Sequence, residues 1–191
     1  MIKLENITKS FGEHNVIENL SLSFDRGSRT AIMGPSGCGK TTLFLLIAGL
    51  ISPDKGKISH PENMRFSAVF QDDRLCENLS LYANIKLVVP KVLSKSVIIR
   101  DTQKLGLNGF ENKPVSVLSG GMKRRASIIR AMLADFDTLI LDEPFNGLDA
   151  ETREAASGYI LDKLDGRTLI LITHNPEDVK LLGCEIINLS K

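Results

Sequence analysis

Apolar and polar residues alternate along LSLSF (Leu20–Phe24), the period of a strand with one buried face. Two later stretches, DTLILDEP (Asp137–Pro144) and RTLILITH (Arg167–His174), instead carry short unbroken apolar runs. Such runs suit strands covered on both faces of a parallel sheet. RTAIMG (Arg29–Gly34) reads as a strand entering a glycine-rich loop, FSAVFQ (Phe66–Gln71) as another strand, and EIINLS (Glu185–Ser190) as the last. Helical spacing begins at Lys40, with Leu43, Ile47 and Leu50 on one stripe, and stops within Gly49 to Gly56, where Pro53 sits. It returns from Met122, with Ile128, Ile129, Met132 and Leu133 together, and again from Glu151 to about Leu164. The stretch from Asp72 to about Met132 is expected to be mainly helical, with breaks near Pro90, GLNG (Gly106–Gly109) and Pro114. Strands alternating with helices predict an α/β fold, and the helical stretch predicts a separate lobe. There is no internal repeat and no low-complexity segment.

The 191 residues are enough for one domain with a substantial core. A net charge of +1 excludes a broad field that would attract nucleic acid or an anionic membrane. Cys38, Cys76 and Cys184 are scattered and form no CxxC pair, so a reducing compartment is expected, without zinc or redox chemistry. MIKLENITKSFGEHN lacks an apolar h-region, so no signal peptide is expected. The longest apolar run, LFLLIAGLI (Leu43–Ile51), is too short to span a bilayer. Any membrane role is therefore expected to come through a partner.

Two stretches carry phosphate chemistry. GPSGCGKTT comprises Gly34, Pro35, Ser36, Gly37, Cys38, Gly39, Lys40, Thr41 and Thr42. It fits G-x-x-x-x-G-K-[ST] between a strand and a helix, where successive N–H groups point at a phosphate. Lys40 is expected to reach the β- and γ-phosphates, and Thr41 to ligate Mg²⁺. Cys38 contributes a backbone N–H, and its thiol is incidental. LILDEP (Leu139–Pro144) ends a buried strand with two acids pointing opposite ways. Asp142 suits the Mg²⁺ shell, and Glu143 the deprotonation of an attacking water. The second stretch is VLSGGMKRRAS, where Ser119 is a good N-cap but Gly120 and Gly121 occupy the first turn. Each glycine there costs about 1 kcal/mol relative to Ala. Bare N–H groups at a helix start make an anion site, far in sequence from the first.

GPSGCGKTT, Gln71, LSGGMKRR, LILDEPFNGLD and His174 in LITHN occur in the order found in ATP-binding cassette (ABC) ATPases. The chain resembles that family over essentially its whole length, most specifically in LSGG just ahead of LILDEP. The resemblance implies a P-loop NTPase (RecA-like) core with a mainly parallel sheet, an N-terminal antiparallel β region and an inserted α-helical lobe. Residues 1–71 and 133–191 would form the ATP-binding core, and 72–132 the signature lobe. It implies ATP and Mg²⁺ as cofactors, and head-to-tail pairs in which the LSGG of one subunit caps the ATP on the other's P-loop. Ser119, Gly120 and Gly121 would thus serve the partner's γ-phosphate. Phe11 would lie against adenine. Gln71 would touch Mg²⁺ and the attacking water and sense a membrane partner. Asp149 in NGLD would cross the pair's interface, and His174 would be the γ-phosphate switch.

Within the family, FQDDRL (Phe70–Leu75) and LSGGMKRR look like the importers for nitrate, sulfonate, taurine and similar small solutes. Three stretches depart from that pattern: Leu75-Cys76-Glu77 stands for LPW, Met122-Lys123-Arg124-Arg125 for MRQR, and His174-Asn175 for the last two residues of THD. The chain ends soon after its last strand, so no C-terminal regulatory domain is expected. The implied function is the ATP-hydrolysing, energy-coupling subunit of a transporter that imports a small solute through a separate permease. It would lie at the cytoplasmic face of the membrane, peripheral to it and soluble when isolated. The implied partners are a permease and a second ABC ATPase subunit, either another copy or a close relative. An extracytoplasmic solute-binding protein is a further candidate partner, and no nucleic acid is expected. The alternatives are an exporter or lipid-extraction ATPase, and a non-transport ABC ATPase of DNA repair or translation.

Overall fold

The computed structural model describes residues 1–189. Ser190, the last residue of the expected EIINLS strand, lies outside the described residues. In chain order the elements are β1 (Ile2–Phe11), β2 (His14–Phe24), β3 (Arg29–Met33), α1 (Lys40–Ile47), β4 (Lys55–Ser59) and β5 (Phe66–Val69). Next come α2 (Leu81–Lys86), α3 (Lys95–Lys104), a single 3₁₀ turn at Val115–Val117, α4 (Gly120–Leu133) and β6 (Thr138–Asp142). The chain continues through α5 (Ala150–Leu164), β7 (Thr168–Ile172), α6 (Pro176–Leu182) and β8 (Glu185–Asn188). They form two compact units. The first holds Met1–Phe66, Asp137–Asp142 and the described chain from Gly166 on; the second holds Ser67–Phe136 and Glu143–Asp165.

The first unit carries an antiparallel sheet ordered β2-β1-β4 and parallel strands ordered β6-β7-β3-β8. β6 and β7 are buried at every position, as unbroken apolar runs require. Each Leu or Ile so buried contributes about 1.5–3 kcal/mol. β1 and β4 escape a reading by period because β1 shifts register against both neighbours, once at Asn6, whose φ is +51°. A bulge breaks the alternation on which such a reading depends. Helix α1 stops earlier than its apolar stripe. Gly49, at φ +69°, turns the chain, and Leu50 N–H bonds back to the Leu45 carbonyl at 2.9 Å. That closes a Schellman motif. Leu43 and Ile47 are buried, but Leu50 lies beyond the helix and is exposed.

The second unit is helical. The face of α4 read from spacing is the buried one: Ile128, Ile129, Met132 and Leu133 are all in the core. Helix α5 belongs to this unit although it follows β6 in the chain. Fully buried Asp101 on α3 ties it in, accepting from the Tyr159 hydroxyl at 3.0 Å and pairing with Lys163 at 2.6 Å. A carboxylate buried that deeply needs both partners. The burial and the Asp101 charge push the Tyr159 hydroxyl far above its usual range.

Candidate functional site

The parallel register of the first unit assembles one half of the site. Ile32 is level with Ile172, and Ile172 with Asp142. The loop after β3, the acid ending β6 and the turn after β7 therefore all leave the sheet at its carboxyl edge. Open α/β sheets bind ligands at that edge. Gly34–Gly39 makes the loop. Gly37 (φ +78°) and Gly39 (φ +96°) hold left-handed conformations that turn successive N–H groups inward. Gly39 is the N-cap of α1, which has no side-chain cap. A Cβ on Gly39 would meet the Val16 carbonyl at 3.0 Å, and one on Gly34 would meet the Leu189 carbonyl and, at 2.7 Å, Cys38 Sγ. Both positions require glycine for reasons internal to the unit.

Lys40 Nζ donates to the carbonyls of Gly34 at 2.8 Å and Pro35 at 2.9 Å, so its charge lies over the loop. Thr41 follows at the exposed start of α1, while Thr42 is half-buried. Ser36 is exposed in the loop, and the Cys38 N–H closes back on the Pro35 carbonyl at 3.3 Å. The Cys38 thiol is 3% exposed, away from the loop's open side. Asp142 is buried at the end of β6. An anionic oxygen at Asp142 and a hydroxyl at Thr41 are hard donors of the kind that would suit Mg²⁺. Phe11 ends β1 52% exposed, with the Lys9 ammonium 5.5 Å from its ring centroid. A large aromatic held open on a rigid hairpin is available to stack. After β7, Asn175 N–H donates to Thr173 Oγ1 at 3.0 Å, and Thr173 donates to Asp178 at 2.9 Å. That turn leaves His174 exposed. Asn175, the departure from THD, caps α6 by accepting from the Glu177 N–H at 2.9 Å.

The second unit carries the other residues. Glu143 is half-buried and follows Asp142 at φ +48°. A non-glycine residue there costs about 1–2 kcal/mol, and such strain gathers at functional sites. Glu143 opens the turn EPFNGLD, which ends with Asp149 capping α5 by accepting from the Thr152 N–H at 2.8 Å. That bond holds the exposed Asp149 carboxyl below its usual range. Ser119 caps α4 as expected, accepting from the Met122 N–H at 3.3 Å. Neither Gly120 nor Gly121 has positive φ. A Cβ on Gly120 would meet nothing within 4 Å, and one on Gly121 would meet only the Gly147 carbonyl and Leu148, both at 3.6 Å. Among the described residues nothing requires glycine at either place.

Gln71 is exposed, but its backbone is tied down by residues that motif reading passed over. Arg124 donates through Nη1 to the Phe70 carbonyl at 2.6 Å and through Nη2 to that of Gln71. Its Nε lies 3.3 Å from Asp73. Arg130 reaches the carbonyls of Arg74 at 2.8 Å and Asp73 at 3.1 Å. Burial raises the Asp73 carboxyl above its usual range, against the pull of Arg124. The available signal was the spacing Arg124, Ser127, Arg130: a polar row on an otherwise apolar helix face. Among the described residues no group of three or more His, Cys, Asp and Glu could hold a metal, and no helix is long and apolar enough to cross a membrane.

The family description "ABC transporter" matches residues 17–146. The chain is 34% identical to the spermidine/putrescine import ATP-binding protein PotA of Acetivibrio thermocellus, over 98% of this chain and 58% of that one. It is 35% identical to the taurine import ATP-binding protein TauB of Ruegeria pomeroyi, over 95% of this chain and 75% of that one. It is 32% identical to the lantibiotic transport ATP-binding protein SrtF of Streptococcus pyogenes, over 96% and 84%. The chain thus spans a little over half the length of PotA and three quarters of TauB. Its fold matches the dimeric structure of MJ0796, a bacterial ABC transporter cassette, with a TM-score of 0.86 and 27% identity, covering 99% of this chain and 94% of that one. A second match, at TM-score 0.85 and 26% identity over 100% and 94%, is the dimeric post-hydrolysis state of MJ0796 bound to ADP and Pi.

Proposed function

Because the chain belongs to the ABC transporter family of ATPases, we propose that it binds MgATP, pairs head to tail with a second ATPase subunit, and hydrolyses ATP to drive a separate permease. One observation carries the pairing. Gly34 and Gly39 are demanded by close neighbours within the chain, whereas Gly120 has open space where a side chain would go. Glycine at a helix start that gains nothing internally leaves its N–H groups bare for a ligand brought from outside. The ligand is the γ-phosphate of the ATP held by the other subunit.

In this reading the loop Gly34–Thr42 holds the phosphates, Lys40 leaves its carbonyls for the β- and γ-oxygens, and Phe11 stacks on adenine. Thr41, Asp142 and Gln71 are the residues that would hold Mg²⁺. Glu143 takes the proton of the attacking water, His174 contacts the γ-phosphate, and Asp149 meets the partner. Residues 1–71 and 133–191 act as the ATP-binding core, and 72–132 as the lobe presenting Ser119, Gly120 and Gly121. Mg²⁺ supplies charge neutralisation on the phosphates. Fixed donors then stabilise the charge that spreads over the transferring group.

The likeness to PotA and TauB supports import of a small solute, with an extracytoplasmic binding protein and a permease at the cytoplasmic face of the membrane. The likeness to SrtF supports export as a second reading. Co-purification of the native complex separates them, because a solute-binding protein accompanies an importer. The chemical reading is tested by Glu143→Gln. Turnover is expected to fall about 10²–10⁴-fold, the usual contribution of a general base. ATP binding should persist, and the ATP-bound pair should stay closed in size-exclusion chromatography. Undiminished turnover removes Glu143 from the mechanism.

A further inference from the structure

Two of the three departures from the importer pattern lie together in the second unit. Lys123, where MRQR has Arg, pairs with Glu77, where LPW has Trp, at 2.6 Å. Arg124, where MRQR has Gln, is only 6% exposed and spans two consecutive carbonyls, Phe70 and Gln71. A planar guanidinium makes two such bonds through two separate nitrogens held in a fixed fork, an arrangement that a single-nitrogen amide or ammonium donor lacks. Its remaining edge faces Asp73, which Ser127 also approaches at 3.5 Å. The segment is further folded onto itself, with Arg74 at φ +47° and its guanidinium 3.7 Å from the Phe70 ring centroid. Beyond it, buried Asn84 on α2 accepts from the Cys76 N–H at 2.8 Å and donates to the Cys76 carbonyl at 3.0 Å.

We infer that Arg124 is a positioning residue for Gln71, fixing that segment to α4 so that Gln71 moves as one body with the helix start at Ser119–Gly121. The chain has transferred to one buried guanidinium the task of orienting Gln71, and Glu77 and Lys123 close the outer edge of the same clamp. Gln71, given to Mg²⁺, and Ser119–Gly121, given to the partner's phosphate, are thereby linked through about one turn of α4. This inference rests on the role given to Gln71 above. It places Arg124 neither on the nucleotide nor on the metal. Its effect is felt only through the residue it holds.

The test uses the full chain with MgATP. In Arg124→Met, amide exchange across residues 70–77 should accelerate at least about tenfold while α4 beyond Ser127 keeps its protection, the mark of a local opening. kcat should fall about 10- to 100-fold, the range that misplacement of a group near the chemistry produces, and the Kd for ATP should not change. Gln71→Ala should lower kcat, and adding Arg124→Met to it should lower kcat no further, because both remove one function. Arg124→Lys, which keeps the charge but loses the two-nitrogen fork and the edge facing Asp73, should fall between. It carries the same tests if Arg124→Met does not fold. Unchanged exchange at 70–77, or losses that multiply in the double variant, overturn the inference. Full turnover in Gln71→Ala instead overturns the assignment of Gln71, and the exchange rates then decide alone whether Arg124 holds the segment.

Discussion

Two helices of this protein begin in glycines, and they begin differently. Helix α1 starts at Gly39, left-handed, with no side-chain cap and with Val16 and Ile17 pressed against it. Helix α4 starts at Ser119, conventionally capped, and its two glycines have ordinary backbone angles and room around them. The first start is glycine-rich because the fold there admits nothing else. The second gives up about 1 kcal/mol of helix propensity per residue with no return inside the chain. A composition that looks alike in sequence therefore has two causes. One is satisfied by the folded monomer, and the other, under the proposed function, by a phosphate on a second subunit.

The largest test of that contrast is Gly39→Ala. The left-handed angle costs about 1–2 kcal/mol and the crowding against Val16 about 1–3 kcal/mol. Urea unfolding should show a loss in that range, and ATP binding by the isolated chain should disappear with the loop geometry. Wild-type stability in this variant breaks the comparison at its first term.

The next test pairs Lys40→Ala with Gly120→Asp. Lys40→Ala should weaken ATP binding by the monomer itself. Gly120→Asp has space for its side chain, and a carboxylate at a helix start stabilises the helix by about 0.3–1 kcal/mol. The same carboxylate repels a phosphate strongly where water is scarce. Monomer affinity for ATP should therefore stay near normal, while ATP-driven pairing is lost and turnover falls about 100-fold or more, equivalent to about 2.7 kcal/mol. If calorimetry finds monomer binding abolished in both variants, Ser119–Gly121 serves its own chain's nucleotide and the contrast collapses.

The smallest effects come from adding a single methyl group. Gly120→Ala should raise the unfolding free energy by up to about 1 kcal/mol, because the Cβ meets nothing. Its methyl group should still hinder approach of the phosphate, so the midpoint of ATP-driven pairing should move to higher ATP. A variant that is both less stable and unaltered in pairing would reverse both halves of the argument.

Local chemistry was enough to read several features from the sequence. Ser119 caps α4, the runs LILD and LILI are buried strands, and Lys40 begins a helix after a glycine loop. Each depends on residues a few positions apart, where period and capping act directly. The α/β class followed from their alternation. Other features depended on how the chain closes and packs, which the period of apolar residues does not carry. Leu50 falls off its stripe once Gly49 closes the helix, and β1 hides behind a bulge. The Cys38 thiol turns inward, against Gly34. Arg124, which in sequence is one of three consecutive basic residues on a helix, becomes a buried clamp because Phe70, Gln71 and Asp73 lie where its guanidinium reaches. Sequence determines which groups are available and the period at which they recur. Whether a charged side chain is solvated or buried is decided by whether folding brings partners that replace its water, and for Arg124 those partners lie about fifty residues away in the chain.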